Sequence, residues 1–371
     1  MTPFDFRPRT RIVFGPGEFA RLGEVARELG GTRCLLVADQ GMVAAGHAQE
    51  ALRSLKARRM DVFAFHEFTA NPTVAMVEEG ARFAAPHNVN LVVGLGGASS
   101  LDCAKAINLV LTNGGSIRDY WGYGKASQPL HPMVAVATTA GSGSEAQSYA
   151  SIFDVDAKTR MTCGDVRIVY RTAILDPRLT LTQPPAVAAA SGFDAIAHSL
   201  ETLISTRRSA VSECFSREAW RLLGSNFERV LKEPEDVSAR GAMLLGAHFG
   251  GLAVENAMLG AAHACAEPLT ARYGLAHGAA LALVLPHVLE WSVEGSDDAR
   301  LREVVADLDL PALLRKLAQR AELPGSLRDA EIPEGALPRL AEEAAAQWTG
   351  KFSPRKFDAD AALEIYRAAY A

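Results

Sequence analysis

Asn90-Leu-Val-Val-Gly-Leu-Gly-Gly-Ala-Ser-Ser-Leu-Asp-Cys-Ala-Lys105 changes period in its middle, and that change decides the fold class. Residues 90–95 are a short apolar run of the kind a buried strand needs, two glycines follow, and from about Ser100 to residue 112 the apolar positions recur at helical spacing. The glycines let the backbone approach a phosphate closely, and the start of the helix offers unsatisfied N–H groups to it. Working outward, residues 11–14 (RIVF), 33–38 (RCLLVA), 61–66 and 133–137 (MVAVA) have the same strand character. Helical periodicity lies over 17–29, 42–57 and 73–85. Alternation of this kind predicts a mainly parallel sheet with helices on both faces.

Ligands of such sheets bind at the carboxyl ends of the strands. Besides the turn at Gly96, two features stand there. Thr138-Thr-Ala-Gly-Ser-Gly-Ser-Glu145 is a dense run of hydroxyls and small residues after a strand, and Asp39 ends the second strand, placed to accept from both ribose hydroxyls of an adenosine. In a Rossmann unit the glycine turn comes first and the acid about 20 residues later. Here Asp39 precedes Gly96, so the ordinary Rossmann assignment fails. A carboxylate near the ribose 2′ position repels a 2′-phosphate and favours NAD over NADP, although Asp39 could equally cap the next helix.

After Leu175-Asp-Pro177 the strand signals stop. Helical patterns run over 185–204, 208–231, 236–258, 261–271 and 277–290, followed by four shorter ones. The punctuation at Gln183-Pro-Pro185 sets a boundary, giving an α/β domain over 1–181 and an all-helical domain over 182–371. Two domains suit 371 residues, since one core stops growing near ~250–300. Glu294 to Asp298 reads as a loose turn.

In the helical half, Asp194 and His198 stand four apart and share a helix face. Such a pair can be an ordinary surface contact or one side of a metal site. His263 and His277 appear in small, apolar helical settings, and with Asp194 and His198 they make a four-ligand set of nitrogen and oxygen donors suited to Fe(II) or Zn(II).

Composition narrows the remaining classes. A net charge of −5 leaves no electrostatic footprint for nucleic acid. The start, MTPFDFRPRT, lacks the apolar core of a secretory signal, and the apolar run Gly278 to Val288 is too short to cross a bilayer, so no membrane role is expected. Five cysteines without a Cys-x-x-Cys pair read as reduced thiols of a cytoplasmic protein.

Taken together, Phe14-Gly-Pro-Gly17, Asn71-Pro-Thr73, Gly96 to Lys105, Thr138 to Glu145, Leu175-Asp-Pro177, Gly192-Phe-Asp-Ala-Ile-Ala-His198, His263 and His277-Gly278 resemble the iron-containing (group III) alcohol dehydrogenase family. The resemblance implies a dehydroquinate synthase-like fold: an α/β dinucleotide-binding domain, an all-α metal-binding domain, and an active site in the cleft between them. It implies Asp194, His198, His263 and His277 as metal ligands, with Fe(II) expected and Zn(II) the alternative. It implies Asp39, Asn71, Gly96, Gly97, Ser99, Thr138, Thr139, Ser142 and Leu179 at the dinucleotide, and Tyr149, Ser151 and Val254 near the substrate. The expected activity is NAD(H)-linked alcohol dehydrogenation or aldehyde reduction, with hydride passing between a small alcohol or its carbonyl and nicotinamide C4, in a homodimer or higher homo-oligomer.

The chain also departs from the family pattern. Ala98 replaces a third glycine, Ser142 a threonine, Gln147 a threonine, Arg160 a lysine, and Glu267 a histidine associated with proton transfer. Standing four residues after His263, Glu267 could relay a proton, tune the ligands or join the metal. Two rivals are a non-catalytic NAD- and metal-binding homologue, and a cyclase of the dehydroquinate synthase type. The cyclase needs a basic phosphate cluster, and the segment carrying His263 and His277 offers only Arg272.

Overall fold

The computed structural model describes residues 3–157, 159–294, 302, 304 and 309–371. Residues 295–298 of the expected loose turn lie outside them. The described chain forms two compact units, one over Arg7–Gln183 and one over Pro184–Ala371 together with residues 3–6.

The first unit is built on six parallel strands: β1 (Arg11–Phe14), β2 (Arg33–Ala38), β3 (Asp61–Phe65), β4 (Leu91–Gly96), β6 (Met133–Ala137) and β9 (Thr172–Leu175), in the order β1-β9-β6-β4-β2-β3. The expected parallel sheet is therefore present. Strands β2 and β4 are apolar on both faces because helices cover both. On one face, Cys34, Leu36, Val93 and Leu95 pack with Leu22, Val25 and Ala26 of α1 (Leu22–Glu28) and Ala48, Ala51 and Leu55 of α3 (His47–Ala57). On the other, Gly94 has no room for a methyl: a Cβ would lie 2.5 Å from the Tyr170 hydroxyl and 3.1 Å from Leu101 of α5 (Ala98–Asn113). The pattern over 42–57 is broken in two, since Gly46 at φ 83° ends α2 (Gln40–Ala44) and starts α3.

One element was not expected. Two strands between residues 138 and 172, β7 (Tyr149–Asp154) and β8 (Thr159–Gly164), pair antiparallel and, with the short β5 (Gly122–Tyr123) on the other side of β8, form a second, three-stranded sheet. Polar residues on both strands hide the alternation. The sheet sits beside α4 (Val74–Ala84), and Phe153 N donates at 2.9 Å to the carbonyl of Pro72, two residues ahead of that helix.

The second unit is helical. The long helices α6 (Pro185–Ile204), α7 (Ala210–Lys232) and α8 (Val237–Ala257) pack together, and α10 (His277–Val293) packs on α6 and on α9 (Ala261–Tyr273). By length and composition α8 could cross a bilayer, but 67% of its apolar window is buried, as for a core helix. The shorter helices α11 (Leu310–Arg320), α12 (Leu337–Ala345) and α13 (Ala359–Ala368) complete the described unit.

Candidate metal centre and dinucleotide crevice

In the first unit the strand order switches sides between β2 and β4: β3 lies to one side of β2, and β4, β6, β9 and β1 lie to the other. Such a switch point opens a crevice at the carboxyl ends of the strands. Every candidate cofactor residue falls there. Asp39 follows β2, Asn71 follows β3, Gly96, Gly97 and Ser99 follow β4, Thr138, Thr139 and Ser142 follow β6, and Leu179 lies in the 3-10 turn after β9.

Contacts knit these loops together. Asp39 Oδ2 accepts from Ser100 Oγ at 2.8 Å while Oδ1 caps α2 by accepting from Met42 N, so the capping role and a place in the crevice coexist. Asn71, in the left-handed region at φ 58°, donates its N–H to Ser99 Oγ at 3.2 Å. Gly96 has φ +142° and Gly97 lies under Thr139, where a Cβ would come within 3.0 Å of the threonine hydroxyl. Gly97 caps α5 without a side chain, which leaves the first amides of a 16-residue helix open to an anion.

In the second unit α6 places Asp194 and His198 on one face, α9 brings His263, and α10 opens with His277. All three imidazoles point Nε2 at a single oxygen: Asp194 Oδ1 lies 3.4 Å from His198, 3.6 Å from His263 and 4.0 Å from His277. The ligand atoms of Asp194, His263 and His277 lie within 4.8 Å of one another. The His198 and His263 rings stack with centroids 4.9 Å apart. Small residues permit this approach. Gly250 of α8 faces His198 Cβ, and a methyl on Gly278 would overlap the Ala190 carbonyl of α6.

The electrostatics are those of a cation site. Asp194 Oδ1 and His263 Nε2 are buried and have no hydrogen-bond partner, an arrangement that costs free energy unless something positive lies between them. Burial alone would raise the Asp194 carboxyl, but the three imidazoles outweigh it and hold the group below the usual carboxylate range. Burial pushes His198 down to about 4. Burial also acts to lower His263, yet the Glu201 and Asp194 carboxylates overcome it and raise the group to about 9.

Sequence reasoning missed Glu201. It is 1% exposed, accepts from Ala262 N at 2.7 Å and His263 N at 3.3 Å, and pairs with His263 Nδ1. That pairing fixes the ring so that Nε2 faces Asp194. Its signal was the i, i+7 spacing from Asp194. Glu267, half-buried one turn beyond His263 on α9, is not part of the three-residue ligand cluster.

Comparison with known proteins agrees with both units. Residues 8–177 match the model of the iron-containing alcohol dehydrogenases, and residues 188–370 match that of the Fe-containing alcohol dehydrogenase family, C-terminal. The chain is 30% identical over 384 residues to the 1,3-propanediol dehydrogenase of Citrobacter freundii, covering 99% of each, and 32% identical over 293 residues to the NAD-dependent methanol dehydrogenase of Bacillus methanolicus, covering 79% of this chain and 76% of that one. A crystal structure of a 1,3-propanediol oxidoreductase superposes with a TM-score of 0.94 at 29% identity, covering 100% of both chains. The chain belongs to the iron-containing alcohol dehydrogenase family.

Proposed function

We propose that Asp194, His198, His263 and His277 hold a divalent metal ion, Fe(II) in the first instance, and that the crevice from Asp39 to Leu179 holds NAD, in an enzyme that interconverts short alcohols and their aldehydes or ketones. The observation that carries the metal reading is the buried Asp194 Oδ1, ringed by three imidazoles and lacking a hydrogen-bond partner. Nitrogen and oxygen donors suit zinc as well as iron, and availability decides between them. The relatives named for methanol and 1,3-propanediol favour a short substrate.

When bound, the ion supplies a Lewis acid for the substrate oxygen and the nicotinamide supplies or accepts the hydride. The chain's part is positioning. Asp194 and the three histidines set the place of the ion, Glu201 keeps the His263 ring turned toward it, and the open amides of α5 take the dinucleotide's phosphates. To Glu267 we assign proton exchange with the substrate side, on the strength of its place one helical turn from His263. An unchanged pH profile of aldehyde reduction in Glu267→Gln would remove that role.

The buried free thiols of Cys34, Cys103, Cys163 and Cys265 favour a reducing compartment such as the cytoplasm, and a homodimer is the assembly to look for by light scattering. Metal analysis of anaerobically purified protein, paired with NADH and NADPH oxidation against a panel of short aldehydes, tests the main reading. The expected result is one iron or zinc per chain and faster oxidation of NADH. Protein that retains no metal and reduces no aldehyde would overturn it.

A further inference from the structure

Lys105 is fully buried on α5, about two turns beyond the helix start that faces the crevice. A buried ammonium is costly unless every proton is used. Here Nζ donates to the carbonyl oxygens of Ser144 at 2.7 Å, Tyr149 at 2.6 Å and Gln147 at 3.0 Å, with Ser144 Oγ at 2.9 Å. All four acceptors belong to the stretch that follows β6 and leads into β7. One turn earlier on α5, Asp102 takes the Ser144 hydroxyl at 2.5 Å and the Ser151 N–H at 3.0 Å, and lies 3.8 Å from the ammonium. Gln147 closes the loop on itself by donating to the Ser142 carbonyl at 2.6 Å.

The order of the strands gives this clamp a purpose. Asp39 after β2 marks the ribose of the adenosine, and the α5 amides after β4 mark the phosphates, so the chain of a dinucleotide continues toward the loop after β6. That loop would border the nicotinamide. We propose that Lys105 is a positioning residue for the nicotinamide half of the cofactor: it ties the 144–149 backbone to the same helix that receives the phosphates, so that both halves of the dinucleotide meet a single rigid frame. The proposal rests on the dinucleotide reading and adds to it a residue that itself touches no ligand.

The test compares NADH with ADP-ribose, which lacks the nicotinamide, by calorimetry on the full-length protein. Lys105→Met keeps the length of the side chain and removes the donors. The expected result is NADH binding weakened about tenfold as the 144–149 backbone loses its anchor, with ADP-ribose binding within about twofold of the parent. Ser144→Ala removes only hydroxyl contacts and is read the same way should Lys105→Met not fold, with an expected loss for NADH of about threefold. Equal weakening of both ligands would reduce Lys105 to a merely structural role, and unchanged NADH binding would remove its role altogether; either overturns the proposal. Parent protein that binds neither ligand would overturn the dinucleotide reading, and the proposal with it.

Discussion

Glu201 and His263 are hydrogen-bonded partners deep in the helical unit, with Glu201 1% and His263 3% exposed, and through this pair a carboxylate on α6 sets the orientation of a ring on α9. Outer carboxylates of this kind raise the basicity of a ligating imidazole and fix its tautomer. Glu201→Gln keeps an oxygen for the Ala262 N–H and loses the charge. We expect metal affinity to fall about 10- to 100-fold, measured by competition with a chelator. An unchanged dissociation constant would mean that the pair serves folding alone.

The close approach of α10 to α6 depends on one missing methyl. A Cβ on Gly278 would overlap the Ala190 carbonyl oxygen, and Gly278 follows His277 directly. Gly278→Ala must therefore push α10 away from α6 and carry His277 away from Asp194. The expected outcome is a loss of about 1–3 kcal/mol in chemical denaturation together with reduced metal retention. Full metal content in a stably folded variant would show that the helix pair relaxes without moving His277.

These two cases mark how far the sequence could be read. The Asp194/His198 pair was legible because four residues on a helix always share a face, and the parallel sheet because strand and helix periods alternate cleanly before residue 137. Glu201 lay in the same quoted helix, but its meaning depends on a histidine 62 positions away in the chain, which no local period reports. Lys105 looked like an ordinary helix residue, and its burial appears only when the 144–149 loop folds over it. The β7–β8 pair escaped because its residue types do not follow its burial: along β7 buried and half-buried positions alternate strictly, yet Asp154 is buried and Phe153 only half-buried.

Asp39 carries two separable tasks. Its Oδ1 caps α2 and its Oδ2 accepts from Ser100, while its charge would repel a ribose 2′-phosphate. Asp39→Asn retains the capping oxygen and removes the charge. The ratio of kcat/KM for NADPH over NADH should rise about tenfold, a change of about 1.4 kcal/mol, with little change in melting temperature. A large fall in melting temperature with an unchanged ratio would assign Asp39 to the cap.

The opposed titrations of His263 and His198 predict how the metal-free protein responds to pH. His263 is raised to about 9, above the ordinary imidazole value of about 6.5, so the folded chain holds its proton more tightly. Its contribution to stability is complete below about pH 6.5 and is lost as pH rises toward 9. His198, lowered to about 4 by burial, contributes fully above about pH 6.5 and loses that contribution as pH falls toward 4. From these two groups the metal-free protein is most stable near pH 6.5, and its melting temperature declines between pH 7 and 9. A bound ion must displace the His263 proton, so metal binding tightens over the same interval and the alkaline decline should vanish in zinc-loaded protein. Parallel melting curves for the metal-free and zinc-loaded forms from pH 7 to 9 would show that His263 is not the group whose proton the metal displaces.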